Sequence, residues 1–349
     1  MSDVLLRVQG TLGRITLNRP RALNALTQVM VDSIDAALAG WEHDRSVQLV
    51  LIDGAGERGF CAGGDIRVLY ESAVAGDPIP AQNFFRAEYR LNARIAVYSK
   101  PVVALMDGLT MGGGIGLSAH AAHRVVTERS RLAMPEVGIG FLPDVGGTWL
   151  LSRAPGQLGV HAALTAAQLG PADAMLCGLA DLHVPFDRLP TLTQDLASCE
   201  AADAAACIQS HATQAGSGTL AGARSWIDAC YKADIVETIV AALAAHAEPA
   251  ARDAAADIGR KSPLSEKVAL RALREAPTLG GLEACLEREY QLALAMLAGP
   301  DFREGVRAAL VDKDRNPAWS PATLEGVTPA MVDAIFTAPF HGGLGLTRF

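Results

Sequence analysis

The sequence is short of three things, and each shortage removes a class of function. Cysteine is sparse and dispersed: Cys61, Cys177, Cys199, Cys207, Cys230 and Cys285 form no C-x-x-C pair and no cluster at metal-ligand spacing. That pattern excludes a disulfide framework and reads as reduced thiols, so a cytoplasmic location is expected. Basic charge is outweighed, with 30 Lys and Arg against 38 Asp and Glu and a formal net charge of −8. Nucleic acid and anionic membrane surfaces both want a basic face, so neither is an expected partner. A small polyanion needs only a local basic patch and stays open. Long apolar runs are missing as well. No stretch is unbroken enough to span a bilayer, and "MSDVLLRVQGTLG" lacks the charged and apolar regions of a secretory signal.

What is present is core-forming material. Half of the 349 residues are hydrophobic and 19% are charged, which suits a sizeable buried core. The first half alternates strand and helix signals. "VLLRVQGTLGRITLNRP" predicts two short strands joined at Gly10, and "NALTQVMVDSIDAALAGWEHD" carries apolar residues at helical spacing. "VQLVLIDGAG", "PVVALMDGLTMG" and the start of "HRVVTERSRLAMPE" predict further strands. Strands separated by helix-sized segments build a mostly parallel sheet with helices outside it. Beyond about residue 195 the chain turns Ala-rich and loses its strand signals, with a break at Gly216 to Gly218. The stretch from Gly280 to Trp319 predicts two helices, and the tail past Pro317 is turn-rich. The expected division is therefore 1–195, an α/β core, and 196–349, an α-helical region.

Two glycine-rich junctions stand out. "TMGGGIG", Thr110 to Gly116, follows a strand, and "LSAHAAHRV" after it predicts a helix. Helix N-termini expose unpaired N–H groups at the positive end of the helix dipole. The motif fits neither G-x-G-x-x-G nor Walker A, which leaves an oxyanion hole or tight strand–helix packing. "GFCAGGDIRVLY", Gly59 to Tyr70, repeats the arrangement, with Asp65 placed to cap the following helix. Two such junctions from neighbouring units would aim two N–H donors at one carbonyl oxygen, each worth a few kcal/mol in the transition state. Acid–base groups come from "LAMPEVGIGFLPDVGGTWLL". Its Glu136 and Asp144 lie in a run otherwise apolar or Gly/Pro, where the charged form is disfavoured and the pKa rises toward useful values.

Together these segments resemble the crotonase (enoyl-CoA hydratase/isomerase) superfamily, and most closely its 3-hydroxyisobutyryl-CoA hydrolase branch. "FCAGGDIRVLY", "DGLTMGGGIGLSAHAAHRVVTERSRLAMPEVGIGFLPDVGGTWLLSR", "KSPLSEKVALR" and "EREYQLALAMLAGPDFREGVRAALVDKDRNPAWSPATLEGVT" carry the likeness, which runs to about residue 335. It implies a repeated ββα core with a C-terminal α-helical extension. It also implies an acyl-CoA substrate, with no cofactor beyond the CoA of the substrate itself and no metal. Homo-oligomers are common in the superfamily.

Carried onto this chain, the resemblance puts the oxyanion hole on the N–H groups of Gly64 and Gly113, with Glu136 and Asp144 as catalytic carboxylates. Arg21, and with it Lys313, would contact CoA phosphate. Ala22, Leu23, Ala62, Asp65, Ile66, Gly112 and Gly116 would line the CoA and acyl path. Hydratases of the superfamily have a second glutamate where this chain has Gly116. Its loss disfavours addition of water across C=C and is expected to leave room beside the thioester carbonyl. An isomerase working with one glutamate, a hydratase, and a CoA-ester-binding protein without catalysis are the alternatives. Cys61, with no histidine near it in sequence, is expected to pack rather than react. His120 and His123, three apart on a predicted helix, are expected to serve ordinary polar roles. The charges of "EREYQL" are expected to form salt links along one helix.

Overall fold

After an opening hairpin in the large sheet, three successive strand pairs each give one strand to that sheet and one to a small sheet, and that division places everything of interest. In the computed structural model, which describes residues 2–339 and 342–346, β1 (Val4–Gln9) and β2 (Leu12–Leu17) pair antiparallel around the Gly10 turn. After α1 (Gln28–Glu42) come β3 (Leu49–Gly54) and β4 (Gly59–Cys61). Helices α2 (Ile66–Ala75) and α3 (Ile79–Ala96) follow, then β5 (Val102–Met106), β6 (Leu109–Met111) and α4 (Gly113–Ser118). The third repeat is β7 (His123–Val126), β8 (Arg131–Ala133) and a 3-10 turn, Glu136–Ile139. With β9 (Leu182–His183) the large sheet runs β1-β2-β3-β5-β7-β9, and the small one β4-β6-β8, all parallel.

The central strands β3 and β5 are covered on both faces, so they read as nearly continuous apolar runs rather than as alternating ones. Leu49, Leu51, Val103 and Leu105 face the helices Leu189–Leu196 and Ala204–His211, while Val50, Ile52, Ala104 and Met106 face the main core. Ala204 and Ile208, past the expected boundary at 195, share one cluster with those sheet residues. The chain after 218 is a run of helices, among them α5's neighbour Pro263–Glu275, the long Leu282–Leu297 and the short Pro300–Val306, where α5 is Gly147–Ser152.

Three local readings need correction. The helix expected after Gly116 begins inside the glycines, at Gly113, and stops at Ser118, whose hydroxyl donates back to the Gly114 carbonyl. His123 then enters β7, because parallel pairing with Val103 of β5 claims residues 123–126. His120 and His123 therefore share no helix face. The tail is not all turns: Thr328 caps a helix at Pro329–Phe336 by accepting the Met331 N–H.

Candidate active site

The small sheet sets three strand ends side by side. Its register pairs Cys61 with Thr110 and Met111 with Ala133, so the chain leaves β4, β6 and β8 at one edge, the carboxyl end of a parallel sheet where α/β proteins build their sites. Out of β4 come Ala62 to Gly64, out of β6 Gly112 and Gly113, and out of β8 Met134 to Glu136. Leu26 gives its N–H to Gly63 O at 2.9 Å and takes the Asp65 N–H at 2.7 Å, which leaves the Gly64 N–H outside that bridge. Gly113, as the first residue of α4, has an N–H with no partner within the helix. A Cβ on Gly113 would stand 3.2 Å from the Gly64 nitrogen, so the two donors meet at one point. Left-handed backbone at Gly63 (φ +104°) and Gly112 (φ +48°) makes that approach sterically open.

Carboxyl groups close around this point. Glu136 Oε1 lies 2.9 Å from where a Cβ on Gly112 would be, and its Oε2 has no hydrogen-bond partner among the described residues. Asp144 accepts the Tyr89 O–H at 2.5 Å. A third carboxyl, Glu88 of α3, puts Oε1 within 2.3 Å of a Cβ built on Gly113, also unpartnered. Glu136 and Asp144 are each 6% exposed and Glu88 2%. Burial, and then the charge of Asp144, pushes Glu136 and Glu88 well above the ordinary carboxylate range. Burial lifts Asp144 to about 7 against the opposing Tyr89 hydrogen bond. One low-dielectric site cannot hold several bare carboxylates, so the group shares protons and titrates as a unit.

These residues line a cavity of about 810 Å³. Its inner wall is aromatic: Phe85 stacks on Phe141 (5.6 Å between centroids), and Phe141 meets Phe302 of the helical extension at 5.5 Å. Its mouth is basic, with Arg19, Arg21, Arg58, Arg67 and Lys313. Arg21 and Lys313 are exposed and have no ion pair among the described residues, so both cations face outward on an acidic protein. Arg19 is occupied by Asp65 at 3.0 Å, and Arg58 donates to the carbonyls of Pro20 and Arg21, shaping the loop that presents Arg21. Asp65 thus stands at the N-cap of α2 yet does not cap it, because Arg19 takes its carboxylate. The Ala62 N–H and Leu23 carbonyl are bonded to one another at 3.0 Å.

Arg21, Ala22, Leu23, Ala62, Gly64, Asp65, Ile66, Gly112, Gly113, Glu136, Asp144 and Lys313 all reach this one cavity. Gly116 does not. It lies behind the wall, where a Cβ would stand 2.7 Å from Val145 Cβ and 2.8 Å from Asn92 Nδ2. The space expected beside the carbonyl is therefore filled by those two side chains. Cys61, the last residue of β4, is buried, gives its Sγ–H to Asn24 O, and has its thiol pushed up to about 12 by burial. His120 is bonded through Nε2 to the Val145 carbonyl at 2.8 Å. Among the described residues no group of three or more His, Cys, Asp or Glu is disposed to hold a metal.

Three polar groups escaped the sequence reading: Glu88, Tyr89 and Glu289. A signal existed. In α3 the buried stripe runs Ala81, Phe84, Phe85, Glu88, Tyr89, Asn92 and Ile95, so Glu88 and Asn92 sit at apolar helical positions. Glu289 likewise falls on the buried stripe of Leu282–Leu297. The salt links expected there are absent for Glu289, whose carboxylate accepts the N–H groups of Gly146 and Thr148 instead.

Comparisons with known proteins give the family. The enoyl-CoA hydratase/isomerase family model matches residues 12–336. The 3-hydroxyisobutyryl-CoA hydrolase, mitochondrial, of Xenopus tropicalis is 42% identical, over 99% of this chain and 91% of its own length. That of Rattus norvegicus is 43% identical, over 96% and 89%. Among solved structures, one described as a carnitinyl-CoA dehydratase from Mycobacterium thermoresistibile is 50% identical with a TM-score of 0.94, covering 99% of this chain and 98% of its own. One described as an enoyl-CoA hydratase from Rhodobacter sphaeroides is 44% identical, with a TM-score of 0.89 over 96% and 97%. The curated relatives overturn the cytoplasmic expectation, since they are named mitochondrial. Reduced thiols report a reducing compartment and do not say which one.

Proposed function

The chain belongs to the enoyl-CoA hydratase/isomerase family, and on that premise we infer that it is an acyl-CoA thioester hydrolase. Its substrate is a short β-hydroxyacyl-CoA, 3-hydroxyisobutyryl-CoA, cleaved to 3-hydroxyisobutyrate and CoA in valine degradation. The observation that carries this reading is one buried carboxyl, Glu136, set against the Gly112–Gly113 turn beside the N–H groups of Gly64 and Gly113.

The Gly64 and Gly113 N–H groups hold the thioester oxygen and favour the oxyanion that forms when the carbonyl carbon becomes tetrahedral. Glu136, in its ionised form, attacks that carbon to give a mixed anhydride or takes a proton from the attacking water. Expulsion of the thiolate and its protonation release CoA, and on the anhydride route water then cleaves the acyl–Glu136 anhydride to the free hydroxy acid and the Glu136 carboxylate. Asp144 and Glu88 sit where the β-hydroxyl of a short acyl group would reach, and a protonated carboxyl there is a hydrogen-bond donor as well as an acceptor. The aromatic wall excludes water from the rest of the acyl group. The phosphates lie at the basic mouth, on Arg21 and Lys313.

Two solved relatives are described as a dehydratase and a hydratase, which handle related thioesters by making or consuming a C=C bond. Glycine at 116, where hydratases of the superfamily are expected to hold a carboxylate, favours hydrolysis over that chemistry. The test is to incubate the protein with 3-hydroxyisobutyryl-CoA, crotonyl-CoA and a 3-enoyl-CoA, following free thiol and enoyl absorbance separately. Thiol release from the first substrate alone is expected. An absorbance change without thiol refutes the hydrolase reading, and binding without either signal refutes catalysis. Single turnover in ¹⁸O-water then separates the routes, since label enters the Glu136 carboxyl only through an anhydride.

A further inference from the structure

Asp144 lies in a turn that the backbone does not favour. Val145 has φ +53°, a left-handed conformation that a β-branched residue adopts only under compulsion, and Gly146 follows at φ +81°. Three groups hold this turn from outside. Tyr89 donates its O–H to the Asp144 carboxylate at 2.5 Å, and His120 Nε2 binds the Val145 carbonyl at 2.8 Å. The third comes from the helical extension. Glu289, fully buried, accepts the Gly146 N–H at 2.6 Å and the Thr148 N–H at 2.9 Å, and takes the Thr148 hydroxyl as well.

We propose that Glu289 is a positioning residue for catalysis: by gripping Gly146 and Thr148 it fixes the strained turn that aims Asp144 into the acyl pocket. The grip reaches both sides of Asp144, because Tyr290, next along the helix, packs edge-on against Tyr89 (6.1 Å, 79°). A carboxylate is a costly choice for a purely structural clamp here. Burial pushes Glu289 up to about 8 despite three donors, and Asp144 adds to the effect. In its ionised form it also bears on Glu136, Tyr89 and Cys285, with Glu88 beyond Asp144 in the same acidic group. This role explains why the extension is part of the enzyme: it brings the clamp to a loop from the α/β core.

The inference rests on the hydrolase reading, and the experiment keeps the two apart. Wild-type protein, E289Q, D144N and the double variant are compared for thiol release from 3-hydroxyisobutyryl-CoA, with CoA affinity measured by calorimetry. In E289Q the amide NH2 faces a backbone N–H that it cannot accept, and the turn loosens. A displacement of about 1 Å at a reacting group costs on the order of 100-fold in rate. The expected result is therefore a kcat lower by about 100-fold, KM and CoA affinity nearly unchanged, and a double variant no slower than D144N alone. Wild-type kcat in E289Q, or a double variant showing the product of the two single losses, overturns the proposal. T148V, which removes only the hydroxyl donor, gives a smaller kcat loss at constant KM and serves if E289Q folds poorly; wild-type kcat in T148V then overturns it. A wild type that releases no thiol sinks the hydrolase reading instead, whatever E289Q does.

Discussion

Gly116→Ala is the sharpest small perturbation available. Its Cβ would stand 2.7 Å from Val145 Cβ, 2.8 Å from Asn92 Nδ2 and 3.0 Å from Asn92 Oδ1. Carbon atoms in comfortable contact are about 3.5–4.0 Å apart, so one neighbour must yield by about 1 Å. Asn92 belongs to the 18-residue helix α3, packed on both sides, whereas Val145 sits in the turn at φ +53°. The turn gives way, and Asp144 moves with it. Helix propensity favours alanine over glycine by about 1 kcal/mol, and overpacking costs about 1–3 kcal/mol, so the fold loses little. Catalysis loses more, about 100-fold for a shift of that size. Thiol-release kinetics should show a fall in kcat at nearly constant KM, with CoA affinity unchanged because the crowded neighbours, Val145 and Asn92, do not include Arg21 or Lys313. Wild-type kcat would show that the turn tolerates displacement. A rise in KM alone would mean that position 116 borders the acyl group after all. Gly116→Glu, with no room for its side chain, should fail to create hydratase activity.

Glu136→Gln should lower kcat by about 10²–10⁴-fold while sparing CoA binding, and retained turnover in the thiol assay would remove Glu136 from the chemistry. Gly113→Ala places a Cβ 2.3 Å from Glu88 Oε1 and 3.2 Å from the Gly64 nitrogen; it should cost about 10²–10³-fold in kcat by spoiling the oxyanion contact. Asp144 has a folded pKa of about 7 against 3.8 ordinarily, so the native state keeps a proton that the unfolded chain has released. Stability therefore falls as pH rises from about 4 to about 7, by at most about 4 kcal/mol from this group. Asp144→Asn should melt higher than wild type at pH 8 and not at pH 4; equal melting at pH 8 would contradict the raised pKa. Arg21→Ala and Lys313→Ala should raise KM for the acyl-CoA without lowering kcat, and the effect should shrink with added salt. An effect that salt leaves unchanged would point to a role other than phosphate attraction.

Much of the site was readable along the chain because its parts are local. Glycines at 63–64 and 112–113 follow strand runs, and Glu136 and Asp144 are isolated acids among apolar, Gly and Pro residues. The buried strands showed as continuous apolar runs because both sheet faces are covered. The strand expected at the start of "HRVVTERSRLAMPE" is present, but the helix expected over "LSAHAAHRV" overlapped it, and pairing with β5 gives His123 to Val126 to the sheet. Glu88 and Glu289 were legible only as acids on apolar stripes, and in "EREYQL" the neighbouring charges masked that sign.

By itself the sequence determined the repeated strand–glycine–helix units, the family, and the carboxyl groups available for chemistry, since each is written within a few consecutive residues. Tertiary structure alone decided that Gly116 is packed shut against Val145 and Asn92, that Glu88 joins Glu136 and Asp144 at one cavity, and that Glu289 reaches from the extension to the turn after Asp144. Those contacts join residues far apart in the chain, and only the packing of helices onto the small sheet brings them within reach of one another.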